Sequence, residues 1–334
     1  MKLKTYILPP KSRLDDVCNE TCRALLEEHF DPVWNVKGRD YTAEELDEFI
    51  EDAEVLITSW GSPIISPEML VKAKKLKMLA HAAGSLKGRI PPECFDQGVK
   101  LFSAAPRIAQ SVGEFCLAAL MSALRKIPLL NHEVHSGNWK GSRLSEIRKG
   151  RELTGQTIGI VSASSTARAF IRLLAPFNVN ILIYDPFLTD EAAQQLNARK
   201  ASLEEVMSCP IISIHAPKLE STYRMINKQL ISRIPDNAIL INSSRADVLD
   251  EEALIAELQT GRFTAALDVF TKEPLPEDSP FLKMDNVILT PHAAGGTVEG
   301  YADLMQVVVE DMLRSLNGEP TRFEVKKEVW SRLA

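Results

Sequence analysis

Residues 157–185, TIGIVSASSTARAFIRLLAPFNVNILIYD, set an apolar run, a turn of small residues, a helical pattern and a second apolar run in order. Residues 158–161 are β-rich and end at a turn, Ala169, Leu173 and Leu174 keep the spacing of one helix face, and residues 181–184 read as a buried strand. This is a βαβ unit, closed by Asp185. A small-residue turn with an acid at the end of the second strand is the sequence form of a dinucleotide site. The turn lets a pyrophosphate approach backbone N–H groups at the positive end of the helix, and the acid accepts from the adenosine ribose. Here the glycine positions of G-x-G-x-x-G fall on Ser162, Ser164 and Ala167. Alanine at the third still lets helix and strand pack closely. Serine at the first two adds side chains where a tight turn and a close phosphate approach are needed, although its hydroxyl can donate to phosphate. On this stretch alone, a dinucleotide site and a plain doubly wound core both stay open.

Working outward, 334 residues exceed one typical domain, and 45% hydrophobic content fills two ordinary cores. A net charge of −6 with no long basic block argues against a nucleic-acid or anionic-membrane partner. The opening MKLKTYILPPKSRL has only a short apolar run ending in prolines, and no later segment approaches the roughly 20 apolar residues of a membrane span, so a cytoplasmic protein is expected. Cys18, Cys22, Cys94, Cys116 and Cys209 form an odd set, read as reduced, with Cys18 and Cys22 spaced to share a helix face. No metal site is expected, because neither that pair nor His132 with His135 has further ligands nearby.

Strands are expected at residues 4–8, 55–58, 77–81 and 99–102, with helices between them. The clearest helix opens at Thr42 with a capping box to Glu45. A long helical pattern over 109–130 reads as a crossover between domains, and a polar stretch over 131–155 leads into the βαβ unit. Strand-length apolar runs come next at 211–214, 238–242, 265–269 and 287–289, and a final helix is expected over 303–316. Alternating strands and helices imply parallel sheets covered on both faces. Just past three of these runs, where α/β folds place ligands, come Arg245, Glu273 and His292. A guanidinium can hold a carboxylate bidentately, a carboxylate can hold an imidazole in its protonated form, and an imidazolium can donate to a carbonyl oxygen. Taken singly, each reads first as a loop residue, Arg245 and Glu273 as solvated charges and His292 as a satisfied histidine.

The motifs INSSRADVLDEEALIAELQTGRFTAALDVFTKEPLPEDSPFLKMDNVILTPHAAG from Ile241 and HAPKLESTYRMIN from His215 resemble the D-isomer-specific 2-hydroxyacid dehydrogenase family. That family includes phosphoglycerate, glycerate and hydroxypyruvate/glyoxylate enzymes. The likeness runs through nearly the whole chain, including SGNWKGSRLSEIRKGRELTGQTIGIV and DQGVKLFSAAPRIAQSVGEFCLAALM. It implies two doubly wound parallel-sheet α/β domains, a Rossmann cofactor domain (105–298) inserted in a flavodoxin-like substrate domain (1–104 and 299–334), with a cleft between them. It also implies a homodimer through the cofactor domain, and hinge closure around substrate.

Residue by residue, the resemblance implies Arg245 as the carboxylate-binding arginine, His292 as the acid/base and Glu273 as its partner. For the cofactor it implies Ser164, Ser165 and Thr166 at the pyrophosphate, Asp185 at the ribose, His215, Ala216 and Pro217 lining the site, and Asp268 at the nicotinamide, with Ser243 and Gly295 beside them. In many members the residue at Ser165 is an arginine. The substrate loop falls on residues 81–85, where Ala83, Gly84 and Ser85 would offer N–H groups. Trp60 occupies a position facing substrate, where an indole suits an unphosphorylated acid, with Lys87 and Arg89 nearby for an anionic tail; packing under the loop is the competing reading. Trp139 and Glu152 read as structural. The implied reaction is reversible hydride transfer between NAD(H) and C2 of a 2-oxo or 2-hydroxy acid, with NADP disfavoured by Asp185. The alternative is a regulatory or binding protein on the same scaffold that has lost its cofactor.

Overall fold

The computed structural model describes residues 2–140 and 149–333. Its strands are β1 (Leu3–Ile7), β2 (Phe30–Trp34), β3 (Val55–Thr58), β4 (Met78–His81), β5 (Lys100–Ser103), β6 (Thr157–Val161), β7 (Asn180–Tyr184), β8 (Ala198–Lys200), β9 (Ile211–Ile214), β10 (Ile239–Asn242), β11 (Thr264–Leu267), β12 (Val287–Leu289) and β13 (Glu324–Val325). The chain divides into two compact units, Met1–Ile108 with Gly296–Ala334, and Ala109–Gly295.

In the first unit the sheet order is β13-β5-β4-β3-β1-β2. β1 to β5 are parallel in the flavodoxin-like 2-1-3-4-5 order, and β13 pairs antiparallel with β5. The strands at the centre are apolar because helices cover both faces. Ile7, Val55, Ile57 and Phe102 pack on one side with the Leu304–Leu316 helix, and Leu56, Leu79 and Leu101 pack on the other. The capping box at Thr42 forms as expected, Thr42 accepting from Glu45 N–H while Glu45 accepts from Thr42 N–H. The strand β2 was not legible because FDPVW carries Pro32; it survives as an edge strand, where a missing donor costs little.

In the second unit seven parallel strands run β12-β11-β10-β9-β6-β7-β8. From β6 the chain winds to β7 and β8 on one side and resumes at β9 on the other, so the topological switch lies between β6 and β9. Ligands of open α/β sheets bind in the crevice outside the carboxyl ends at such a point. Two glycines permit close packing here. A Cβ at Gly113 would meet Ala169 Cβ at 2.9 Å, and one at Gly159 would meet the Val206 carbonyl at 2.5 Å.

Two expectations need correction, and one gains an element. The pattern over 109–130 is two helices, Ala105–Leu124 and Ile127–His135, broken where Lys126 turns to φ 53° and Pro128 opens the second. The final helix forms where expected, at Leu304–Leu316, and is preceded by a short one, Val298–Ala302, capped by Thr297. Cys18 and Cys22 do not share a helix: Cys18 caps the end of Lys11–Val17, and Cys22 lies in Glu20–His29 behind the Asn19 cap. All five cysteines are free and buried. Among the described residues no group of acids, histidines and cysteines is arranged to hold a metal, and no helix is long and apolar enough to cross a membrane.

Candidate active site

The turn after β6 resolves the glycine question position by position. Ser162 holds φ 74°, a left-handed backbone that costs a non-glycine residue about 1–2 kcal/mol. The strand end of β7 offsets that cost: Asp185 Oδ2 accepts from Ser162 Oγ at 3.2 Å and from Ala163 N–H at 2.8 Å, while Oδ1 accepts from Phe187 N–H at 2.8 Å. Ser164 sits at φ −61° and ψ 173°, extended backbone that needs no glycine, and it caps the Ser165–Leu174 helix. Ala167 is buried against the sheet. Ser165 and Thr166 begin that helix, so their N–H groups have no partner within it.

Behind the turn lies a polar chain that runs from half-buried Ser164 and Thr166 to buried His215 and Ser213. Ser164 Oγ meets Thr166 Oγ1 at 3.0 Å, Thr166 Oγ1 meets His215 Nδ1 at 3.2 Å, and His215 Nε2 meets Ser213 Oγ at 2.8 Å. Both ring nitrogens of His215 are thus occupied, and burial pushes its pKa down to about 3. Its geometry clamps the first helical turn to β9. Ala216 is buried beside it, and the Pro217 carbonyl accepts from Thr222 Oγ1. Ser243, after β10, bonds Cys116 at 3.0 Å, and burial pushes that thiol up to about 11. Gly295 closes the second unit just after the His292 loop.

At the carboxyl ends of β11 and β12 the structure brings Glu273 and His292 together, with Oε2 to Nδ1 at 2.8 Å. The two side chains are 37% and 50% exposed, so the ring is open to a reactant. Burial opposes ionisation of Glu273, but the His292 hydrogen bond, the Phe270 N–H and the charges of His292 and Arg245 together hold its carboxyl below the usual range. Arg245, half-buried after β10, donates to the Ser244 carbonyl at 2.7 Å and feels the charges of Glu273 and Asp247, while burial lowers its pKa. His292 itself stands at φ 54°. Asp268, 1% exposed, holds that backbone: Oδ1 accepts from Thr290 Oγ1 at 2.6 Å and Ala293 N–H at 2.8 Å, and Oδ2 from Ala294 N–H at 2.9 Å. The Asp268 carbonyl accepts from His292 N–H at 2.8 Å. Its carboxylate therefore serves the loop, and Thr290 is the partner that sequence reading missed.

In the first unit, Trp60 follows β3 and lies against Tyr301, ring centroids 5.1 Å apart, with the Arg13 guanidinium 5.7 Å from the indole. Ser59 Oγ donates to the Ala82 carbonyl at 2.9 Å, which ties the Trp60 turn to the start of the neighbouring loop of Ala83, Gly84 and Ser85. A Cβ at Gly84 would meet only Ile108 Cδ1 at 3.7 Å, an ordinary contact, so no steric demand explains that glycine. His81 is buried, bonds Thr58 Oγ1 at 2.8 Å, and is pushed down to about 4 by burial and by the Arg89 charge.

Residues 117–294 match the model of the D-isomer specific 2-hydroxyacid dehydrogenase family, NAD binding domain. A glyoxylate reductase of Korarchaeum cryptofilum is 30% identical over 307 residues, 91% of this chain and 92% of the relative. A D-3-phosphoglycerate dehydrogenase of Methanocaldococcus jannaschii is 31% identical over 281 residues, 83% of this chain; the chain spans about half of that protein, 52%. A solved phosphoglycerate oxidoreductase from Rhizobium etli superposes with a TM-score of 0.80 at 26% identity, covering 97% of this chain and 98% of that one. The chain therefore belongs to the D-isomer-specific 2-hydroxyacid dehydrogenase family, with an NAD-binding domain built around its glycine-free turn.

Proposed function

We propose that this protein is an NAD-dependent oxidoreductase acting between a small D-2-hydroxy acid and its 2-oxo counterpart. The observation that carries the reading is the Glu273–His292 pair, half-exposed at the carboxyl ends of adjacent strands in the NAD-binding unit. Bound NAD supplies or accepts the hydride. The chain's own groups do the rest. Arg245 holds the substrate carboxylate bidentately. Glu273 occupies Nδ1 of His292 and fixes the ring, leaving Nε2 to give a proton to the C2 oxygen in reduction and to take it back in oxidation. Asp268 keeps the His292 loop in its left-handed turn.

For the cofactor we assign Ser164, Ser165 and Thr166 to the pyrophosphate and Asp185 to the ribose; a carboxylate there accepts a 2′-hydroxyl and repels a 2′-phosphate. His215, Ala216, Pro217, Ser243 and Gly295 shape the surroundings from the carboxyl side of the sheet. The N–H groups of Ala83, Gly84 and Ser85, with Trp60, are assigned to the substrate. A cofactor-free binding protein draws less support, since of the two serines at the turn's glycine positions only Ser162 needs left-handed backbone and Asp185 holds it. A homodimer is supported by the family resemblance and by exposed Ile127 and Val134 on the second unit, and sedimentation at twice the chain mass checks it; the cytoplasmic location is supported by the family resemblance alone.

The test is NADH consumption against a panel of small, hydroxymethyl and aromatic 2-oxo acids. At least one is expected to turn over, and His292→Ala is expected to lower that rate by about 10²–10⁴ while NADH affinity holds. No turnover across the panel, or an unchanged rate in the variant, contradicts the proposal.

A further inference from the structure

Arg168 stands in the first turn of the Ser165–Leu174 helix, a segment with no acidic residue in that turn. A cation there faces the positive end of the helix dipole, which is unfavourable. Among the described residues it has no carboxylate partner. Instead its Nε donates to the Ala163 carbonyl at 3.0 Å, so the guanidinium folds back over the turn itself. This direction is natural, because a helical side chain leans toward the N-terminus and Arg168 shares a face with Ser165, three residues before it. Ser165 is exposed and has no charge or length with which to reach a ligand. One nitrogen of Arg168 is used by the turn, which leaves the η nitrogens of a planar, five-donor fork.

We propose that Arg168 is the charge that binds the cofactor pyrophosphate, acting beside the N–H groups of Ser165 and Thr166. The cation is poorly placed for stability and well placed for an anion arriving at the same N–H groups. The assignment rests on the NAD-dependent reading above. Charge-assisted bonds from a guanidinium to phosphate are roughly twice as strong as neutral ones, so losing this one removes about tenfold or more in affinity.

The experiment titrates wild type, Arg168→Gln and Arg168→Lys with ADP and with NADH by calorimetry, and with adenosine by competition against NADH. Thermal melting of each protein without nucleotide completes it. Arg168→Gln is expected to bind ADP and NADH at least tenfold more weakly, Arg168→Lys to recover part of the loss, and adenosine to bind all three alike. Without nucleotide, Arg168→Gln is expected to melt at or slightly above wild type, as a relieved dipole clash requires. Unchanged ADP binding in Arg168→Gln overturns the proposal. So does a loss shared equally by adenosine, or a lowered melting temperature that accounts for it, since either makes Arg168 a structural anchor of Ala163. If wild type itself binds neither ADP nor NADH, the NAD-dependent reading fails, and this assignment with it.

Discussion

The turn after β6 and the loop after β12 solve one problem in two ways. Each places a non-glycine residue in left-handed backbone, Ser162 at φ 74° and His292 at φ 54°, and each is held by an aspartate at the end of a neighbouring strand. Each carboxylate takes three donors, two on one oxygen and one on the other, so the difference lies in exposure. Asp268 is 1% exposed, so the His292 loop is locked from beneath and its carboxylate offers little to a ligand. Asp185 is half-buried at an open strand end, where the lone pairs left on Oδ1 beside the Phe187 N–H face outward to a ligand's reach. Under the proposed roles, the comparison teaches that a fixed proton donor wants a buried anchor, while a cofactor turn wants an anchor that can share.

Acid separates the two regions most strongly. His215, which clamps the turn's helix, has a pKa depressed to about 3 by burial, so the unfolded chain takes up its proton first, from about pH 6.5 downward. Stability then falls as pH falls through that window, by roughly 4–5 kcal/mol at the limit for this one group. His81, depressed to about 4, adds a loss of the same sign in the first unit. Glu273 is held below its ordinary value, so its contribution is intact above about pH 4.5 and is lost only below it. Thermal melts from pH 7 to 4 are expected to show this early loss, and His215→Gln is expected to flatten it; an equal slope in the variant would break the assignment.

Asp268→Asn comes next. An amide cannot accept from Ala293, Ala294 and Thr290 together, so about 2–3 kcal/mol of stability should go, and kcat should fall at least tenfold with NADH affinity little changed. Wild-type turnover in this variant would mean that the His292 loop holds itself. Asp185→Ala should do the converse, weakening NADH about tenfold and leaving kcat at saturating cofactor near wild type. The smallest effect belongs to Ser162→Gly. Relief of about 1–2 kcal/mol of backbone strain is opposed by the lost Oγ bond and by greater freedom of the unfolded chain, so stability should move by less than about 1 kcal/mol. A large gain in NADH affinity on that change would show the natural turn to be defective.

Much of this architecture was legible because periodicity and strand-end placement are consequences of burial. The βαβ unit and the central strands of both sheets could be read from apolar runs; Arg245, Glu273 and His292 showed there only as polar residues past strand ends, and the family resemblance singled them out. Two kinds of feature could not be read. Backbone dihedrals are invisible in residue names, so Ser162 and Ser164 looked equally damaging, whereas only Ser162 needs left-handed backbone. Contacts across sequence distance are equally hidden. Tyr301 against Trp60, Thr290 on Asp268 and Cys116 on Ser243 join positions that no local pattern links. Some signals were present and unused: Pro128 marks the helix break at Lys126, and Pro32 hides β2 while allowing it at an edge.

The measurement that bears most directly on the account is a titration of the purified protein with NADH, followed by energy transfer from its four tryptophans to the bound nicotinamide. Saturable binding in the micromolar range, with NADPH much weaker, is the expected result and makes SASSTA a working cofactor turn. No binding of either nucleotide at millimolar concentration would contradict the account, because neither the Asp185 anchor nor the Glu273–His292 pair would then have a cofactor to serve.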